Sequence, residues 1–291
     1  MKSLRGDARP APLITIVTPA LNAAAFLDET LASVSAQNRD DIEHIIVDGG
    51  STDATRAIVA RYPGTRFVEQ PGSKQTAAMN AGAALAAGTF LIFLNADDVL
   101  VPGAADALAA AFADDDTLDV VYGRAEQIDA AGALIEHYPT RAFDAAALLE
   151  SCFVCQAGSM IRRASFERAG GFTTALNFSM DYDLWLRIAP WARFAHIDAL
   201  TARVRLHDAA KTIAQRERIF AETFDILLSR AGYVPYTWIY ADADHRLERG
   251  THAVGARRKS RGKVLYALYR AVAVNRRQPL RAIRDWLAHR A

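Results

Sequence analysis

The sequence predicts an α/β protein built on a largely parallel sheet with helices on both faces. Three observations predict it. Short apolar or β-branched runs alternate with helix-period segments through roughly the first hundred residues. The joints between them are short, so consecutive strands are connected by crossover helices. The strand candidates are near-continuously apolar rather than alternating, which fits a sheet covered on both faces.

Each element follows from local chemistry. LITIVT (13–18) is a β-branched run and the first strand. From Asn22 to Gln37, the residues Phe26, Leu27, Leu31 and Val34 recur at helical spacing. IEHIIV (42–47) is the second strand, ending in DGGSTD, where Asp53 fits as the N-cap of a helix over 54–62. RFVEQ (66–70) is the third strand. KQTAAMNAGAALAAG (74–88) is an Ala-rich helix expected to stop at Gly88 as its C′ residue. TFLIFL (89–94) is the fourth strand, and Pro102 opens a helix over 103–113.

The second half is less regular. LDVVYG (118–123) is a strand, AEQIDAAGALIEH (125–137) two strands around a turn at Ala131–Gly132, and QAGSMIRR (156–163) a short strand. RASFERAGGF (163–172) is a helix stopped by Gly170 and Gly171. MDYDLWLRIA (180–189) puts Leu184, Trp185 and Ile188 on one helical face. Asp208 is the expected N-cap of a long amphipathic helix reaching Gly232. Beyond it, Leu265, Tyr266, Tyr269, Val272, Leu280, Ile283, Trp286 and Leu287 form the apolar faces of at least two more helices. The polar, Gly-containing stretch 241–263 marks the expected boundary, with one domain over 1–240 and a basic helical extension over 241–291.

The chain has 291 residues, 51% hydrophobic and 23% charged, enough for the core of one large or two small domains. Its net charge of +1 conceals an asymmetry. From Arg257 onward there are eleven Lys or Arg and one acid, Asp285, so the tail carries +10 and the remainder −9. That tail reads either as a solvated helical face or as a contact for an anionic membrane or lipid-linked substrate. No nucleic-acid partner is expected. No apolar run reaches the roughly 18–20 residues that span a bilayer, and the N-terminus lacks a signal-peptide pattern. Cys152 and Cys155 form a CxxC pair without a second pair, so two buried thiols in a reducing compartment are expected. The expected location is the cytoplasm, with peripheral contact on the inner face of the plasma membrane through the tail.

Ligands of such sheets bind at the carboxyl ends of the strands. Thr18, Asp48 and the segment Asn95–Asp98 all fall there. Burial penalises charge, so the paired acids Asp97 and Asp98 after an apolar strand imply a turn into water or a bound cation. Two close carboxylates can hold a divalent ion, with waters and phosphate oxygens completing its shell. A second acid pair, Asp181 and Asp183, opens a helix, where the dipole favours acids in any case. His207 lies further on.

Six segments, ITIVTPALNAAAFLDETLASVSAQ, IEHIIVDGGSTDAT, QTAAMNAGAALAAGTFLIFLNADD, QAGSMIRRASFERAGGF, MDYDLWLRIA and VRLHDAAKT, resemble in this order the family 2 glycosyltransferases of the GT-A fold. The resemblance covers roughly 13–231. It implies a Rossmann-like nucleotide-diphospho-sugar transferase with a mixed sheet flanked by helices, followed by the helical C-terminal extension. It also implies metal-dependent, inverting transfer of a sugar, of hexosyltransferase type, from a nucleotide-diphosphate sugar to a hydroxyl. The acceptor would be a glycan or lipid-linked, in bacterial cell-surface polysaccharide or lipopolysaccharide biosynthesis.

NADD is similar to the family's DXD motif, with Asn95 in place of the first Asp. The resemblance assigns the metal-and-ribose role to Asp97 and Asp98, with Mn²⁺ or Mg²⁺ as the ion. His207 matches a position that completes the metal shell in some members. Asn95 keeps the capacity to hydrogen-bond a ribose hydroxyl without a charge. MDYD looks like the family's ED-type segment, which makes Asp181 the general base, with Met180 replacing the usual acid. Thr18, Pro19, Asp48 and Gln75 match the nucleotide pocket. Gly49 stands where many members carry a second Asp that reads the base, and Ala77 where a ribose-contacting Asp is frequent. Gln156 and Arg187 are expected to support the acceptor side or to pack, and Lys211 and Thr212 to bind phosphate at a helix start.

The chemistry is consistent with these types. A divalent ion stabilises the charge that develops on a departing diphosphate. The acceptor hydroxyl must lose a proton, and a carboxylate with a reference pKa of about 3.9 accepts it at neutral pH. Attack opposite the leaving group inverts the anomeric centre. Two other readings stand beside this one. One is a sugar-phosphate nucleotidyltransferase, although TPALNAAAF replaces the Gly-rich, basic phosphate loop it needs. The other is a non-catalytic nucleotide-sugar-binding protein, motivated by Asn95, Gly49, Ala77 and Met180.

Overall fold

The computed structural model describes residues 12–207, 215–247 and 261–289. Asp208, Lys211 and Thr212, and most of the expected 241–263 boundary stretch, lie outside them. The described chain forms two compact units. One holds the described residues up to Phe143 and from Phe153 to His207; the other holds Asp144–Cys152 and those from Gln215 onward.

The first unit is a nine-stranded mixed sheet in the order β3-β2-β1-β4-β8-β6-β9-β5, with β7 beside β6. The strands are β1 (Ile14–Ala20), β2 (Ile42–Asp48), β3 (Thr65–Glu69), β4 (Phe90–Phe93), β5 (Val99–Leu100), β6 (Val120–Ile128), β7 (Leu134–His137), β8 (Ser159–Arg162) and β9 (Phe194–Arg205). The helices of this unit are α1 (Leu27–Ser35), α2 (Thr55–Val59), α3 (Gln75–Leu85), α4 (Ala104–Asp114), α6 (Arg163–Arg168) and α7 (Met180–Ile188); α5 (Ala145–Glu150) belongs to the second unit. β1, β2, β3 and β4 pair in parallel, whereas β8 runs antiparallel to both β4 and β6.

Burial confirms the two-faced sheet. Ile46 of β2 packs with Leu27, Leu31 and Ile58 of α1 and α2. Its neighbours Ile45 and Val47 point the other way, against Ala78 of α3. A strand covered on both sides has no polar face, which is why its sequence does not alternate.

Local boundaries differ from expectation where side chains compete with the helix. The segment 22–26 is a turn rather than the first turn of α1. Ala23 N–H donates to the Thr55 hydroxyl, Ala24 N–H to the Asp53 carboxylate, and Asn22 N–H to the Ser51 hydroxyl. These bonds replace helical ones. Gly88 does not cap α3, which ends at Ala86 in an extended conformation. It is glycine because a Cβ there would stand 2.6 Å from the Thr15 backbone nitrogen of β1.

β9 had no counterpart among the expected strands. Its HIDALTARVR run mixes charge with small residues, so no apolar period marks it. It exists because β6 supplies a parallel partner along most of its length and β5 an antiparallel one.

The second unit is helical: α5, α8 (Arg216–Ala231), α9 (Tyr236–Leu247), α10 (Arg261–Val274) and α11 (Pro279–Ala288). Asp144 caps α5 through the N–H groups of Ala146 and Ala147. Fully buried Asp242 pairs with Arg246 and with Arg270, 2.7 Å each, tying α9 to α10. The 240/241 position expected as a domain boundary falls inside continuous α9, and the division between the compact units comes earlier in the chain.

Candidate active site

The strand order turns back between β1 and β4, and a crevice opens at the carboxyl ends of such a pair. Asp48 ends β2 nearly buried. Its Oδ2 accepts from the N–H groups of Gly50 and Ser51 at 3.1 and 2.9 Å, and its Oδ1 from the Ser51 hydroxyl. Asn22 extends this network, its Oδ1 accepting from Thr52 N–H at 2.9 Å. The rim is therefore rigid. A Cβ at Gly49 would stand 3.1 Å from the Ser73 carbonyl, so a second acid there requires the 71–73 segment to give way.

Thr18 has no exposed surface; its hydroxyl lies 3.0 Å from His44 Nε2. Burial pulls His44 down to about 3, so it is neutral. Thr18 thus shapes the rim from inside the core, and half-buried Pro19 follows it toward the crevice.

The NADD segment divides its labour. The Asn95 amide accepts from Gln75 Nε2 at 2.7 Å and donates to Asp98 Oδ2 at 2.9 Å. Asp98 Oδ1 accepts from the Arg205 N–H at 3.0 Å, and only 4% of this residue is exposed. Burial first, and the charge of Asp97 second, push its carboxyl up to about 8. Asp97 faces outward, its side chain 31% exposed and its Oδ2 3.1 Å from His207 Nε2. The His207 ring rests on Phe26, centroids 4.7 Å apart.

Arg205, which sequence reasoning missed, fastens this loop. Its guanidinium donates to the carbonyls of Asp97, Asp129 and Ala130 at 3.0–3.2 Å, pairs with Glu29 at 2.5 Å, and lies over Phe26. An arginine in a strand without apolar alternation carries no local signal; its position two residues before His207 was the only pointer.

Asp181 stands half-buried in the first turn of α7. The loop before α7 is tied to α3, where Asn80 Nδ2 donates to the Phe172 carbonyl at 2.8 Å and the Thr76 hydroxyl to that of Leu176 at 3.3 Å. Gln75 and Thr76, consecutive at the start of α3, thus join Asn95 to the loop that leads into α7. The buried Cys155 thiol is pushed up to about 12, chiefly by burial. Gln156, beside it, donates to the Phe93 carbonyl at 3.2 Å and braces the end of β4. Asp183 is structural: it accepts from Thr173 and pairs with Arg187 at 2.9 Å. Arg187 in turn holds the carbonyls of Ala169 and Gly171.

Among the described residues no three His, Cys, Asp or Glu side chains form a complete cation cage. Asp97 with His207 offers one carboxylate and one imidazole, half-open to solvent. That donor set fits an ion bound by few protein ligands, with phosphate oxygens supplying the rest.

The Asn95 bridge makes a clear prediction. Asn95→Asp places a second carboxylate 2.9 Å from buried Asp98, and the two cannot both ionise. The variant should lose about 1–3 kcal/mol. The loss should grow as pH rises, because the raised Asp98 carboxyl is tolerated while protonated and opposed by its neighbour once charged. Thermal melts of both proteins between mildly acidic and alkaline pH check this; a constant difference in midpoint would contradict it.

A mixed sheet flanked by helices, with acids at its switch point, has the architecture of a GT-A α/β protein. Residues 15–170, more than half of the chain, match the family described as glycosyl transferase family 2, and the chain belongs to that family. It is 28% identical over 234 residues to an Escherichia coli chondroitin synthase, a match covering 78% of this chain and 34% of that one. The chain thus spans about a third of that relative. It is 34% identical over 187 residues to a PGL/p-HBAD biosynthesis glycosyltransferase of Mycobacterium bovis, covering 61% of this chain and 70% of the relative. Among solved structures, S. aureus TarS 1-349 in complex with UDP-GlcNAc superposes with a TM-score of 0.64 at 16% identity, covering 92% of this chain and 82% of TarS 1-349. The mannosyltransferase PcManGT of Pyrobaculum calidifontis, in complex with GDP-Man and Mn²⁺, gives 0.60 at 18%, covering 93% and 87%.

Proposed function

We propose that the protein transfers a glycosyl group, with inversion, from a nucleoside diphosphate sugar to a hydroxyl of a glycan or lipid-linked acceptor in surface-polysaccharide assembly. The observation that carries this reading is the pairing of outward-facing Asp97 with His207 at the carboxyl-end rim of the sheet. The donor complexes of TarS and PcManGT support the donor class, and the Mn²⁺ of PcManGT supports a divalent ion.

In this mechanism Asp97 and His207 would hold the ion, and buried Asp98 supports the loop from beneath. A bound Mn²⁺ or Mg²⁺ would stabilise the charge of the departing diphosphate. Asn95 and Gln75 orient the ribose side, and the Asp48 rim with Pro19 walls the nucleotide. Asp181 accepts the proton of the attacking hydroxyl. The Arg187–Asp183 pair fixes the loop 169–171, and with it the start of α7.

Incubating the full chain with a panel of UDP-, GDP- and dTDP-sugars tests the reading. Nucleoside diphosphate release should appear with at least one donor and Mn²⁺ or Mg²⁺, and disappear with EDTA. Tight nucleotide binding without release across the panel would favour a non-catalytic binding protein. Pyrophosphate formed from a sugar phosphate and a nucleoside triphosphate would favour a nucleotidyltransferase.

A further inference from the structure

The two C-terminal helices bury mainly small residues and leave several large apolar ones exposed. Ala267, Ala271 and Ala282 are fully buried, while Leu265 is 64%, Tyr269 68%, Leu280 77% and Leu287 54% exposed. The three alanines and Trp286, which is 8% exposed, face inward, and the leucines and Tyr269 stay outside. On α11, Leu280, Ile283 and Leu287 follow the i, i+3, i+7 spacing of one stripe, and all three are exposed. An exposed apolar stripe of this kind marks an interaction surface.

The charge beside the stripe names its partner. Arg281 and Arg284 flank it on α11, and Arg276 and Arg277 precede the helix. Arg276, Arg277 and Arg284 make no ion pair among the described residues. The acids nearby are engaged inward: Asp285 accepts from the Tyr233 hydroxyl and the Tyr236 N–H, and Glu150 from the Thr237 hydroxyl. Arg281 and Arg284 also line a 540 Å³ groove with Tyr233, Pro235, Leu280 and the hydrogen-bonded acids Glu150 and Asp285, so guanidinium groups and apolar surface share one opening. A protein partner of this face would have to be both acidic and apolar. An anionic bilayer offers phosphate at the surface and hydrocarbon directly beneath it.

The geometry points to α11 as an interfacial anchor. It lies in the plane of an anionic membrane, with Leu280, Ile283 and Leu287 below the headgroups and the arginines among them. This device stands independently of the transfer chemistry. It goes beyond the net charge of the tail, because it assigns the contact to one face of one helix. No helix among the described residues is long and apolar enough to cross a membrane, so the contact is peripheral.

Flotation of the full chain with vesicles tests it. The protein should float with phosphatidylcholine–phosphatidylglycerol vesicles at low salt and remain behind with phosphatidylcholine alone. Leu280→Ser/Ile283→Ser/Leu287→Ser should weaken binding by at least about tenfold. Arg277→Gln/Arg284→Gln should weaken it by about fivefold per arginine. Circular dichroism and nucleoside diphosphate release in solution should be unchanged in both, since all five positions are exposed and lie outside the site. Recovery of the wild-type protein in the soluble fraction with anionic vesicles would overturn the inference, as would flotation of the triple variant at the wild-type level. So would a wild-type dimer in sedimentation velocity that the triple variant dissolves, because the stripe would then be covered by a second copy.

Discussion

Asp181→Asn should abolish most turnover while leaving the nucleotide site intact. Asparagine keeps the size and hydrogen-bonding reach of aspartate but does not take a proton from an attacking hydroxyl. Removing a positioned base of this kind costs about 10²–10⁴ in rate. Nucleoside diphosphate affinity in the presence of Mn²⁺ should stay within about twofold, since the Asp97–His207 pair that would hold the ion is unchanged. The neighbouring acid supplies the control. Asp183 has a side chain only 2% exposed and is bound to Thr173 and Arg187. Asp183→Asn leaves the half-buried Arg187 without its counter-charge and should cost about 3–5 kcal/mol. Kinetics and melting curves of the two variants thus separate a chemical acid from a structural one on the same helix. A fully active Asp181→Asn enzyme would remove the base assignment.

Arg205→Met should reduce both stability and metal-dependent nucleotide binding. Its side chain is 1% exposed. Its loss removes a donor from the carbonyls of Asp97, Asp129 and Ala130 and leaves Glu29 without its cation. Truncating one member of such a buried network costs about 3–5 kcal/mol. For a unit of this size that is roughly a 10 °C fall in the unfolding midpoint. The second effect is specific. Arg205 is one of the influences that hold the Asp98 carboxyl down against burial. Without it Asp98 stays protonated further into the alkaline range, and the loop that presents Asp97 loses its clamp. The Mn²⁺ concentration for half-maximal nucleotide binding should rise about tenfold or more, a readout that general destabilisation does not move below the melting range. Arg205→Lys should fail to rescue it, because a single ammonium cannot span three carbonyls and a carboxylate. Normal metal dependence in a merely less stable variant would reduce Arg205 to a packing role.

The sheet was legible in the sequence because its information is local. The runs LITIVT, IEHIIV and TFLIFL are apolar throughout, so they specify strands buried on both faces, and the helix-period segments between them force parallel crossovers. The carboxyl-end placement of Asp48 and the NADD segment follows from that topology alone. The Gly170–Gly171 stop of α6 was equally local, since both glycines have φ near +75°. Gly88 was misjudged because a close approach to β1 looks the same in sequence as a helix stop.

What the sequence determined by itself is the α/β order of elements, the rim on which the polar residues gather, and the membership of the family. The tertiary structure alone decided how those residues divide their work. Asp97 and Asp98 are neighbours with the same side chain. They differ because β9, more than a hundred positions later, brings the Arg205 N–H to one and His207 to the other. Asn95 donates to a carboxylate three residues away, where a donor is favoured over a second charge. The tail shows the same division. Its apolar spacing could be read from the sequence, but its direction could not. Helical periodicity marks that a face exists. Only packing, here through Ala267, Ala271 and Ala282, decides whether that face or its opposite is turned inward.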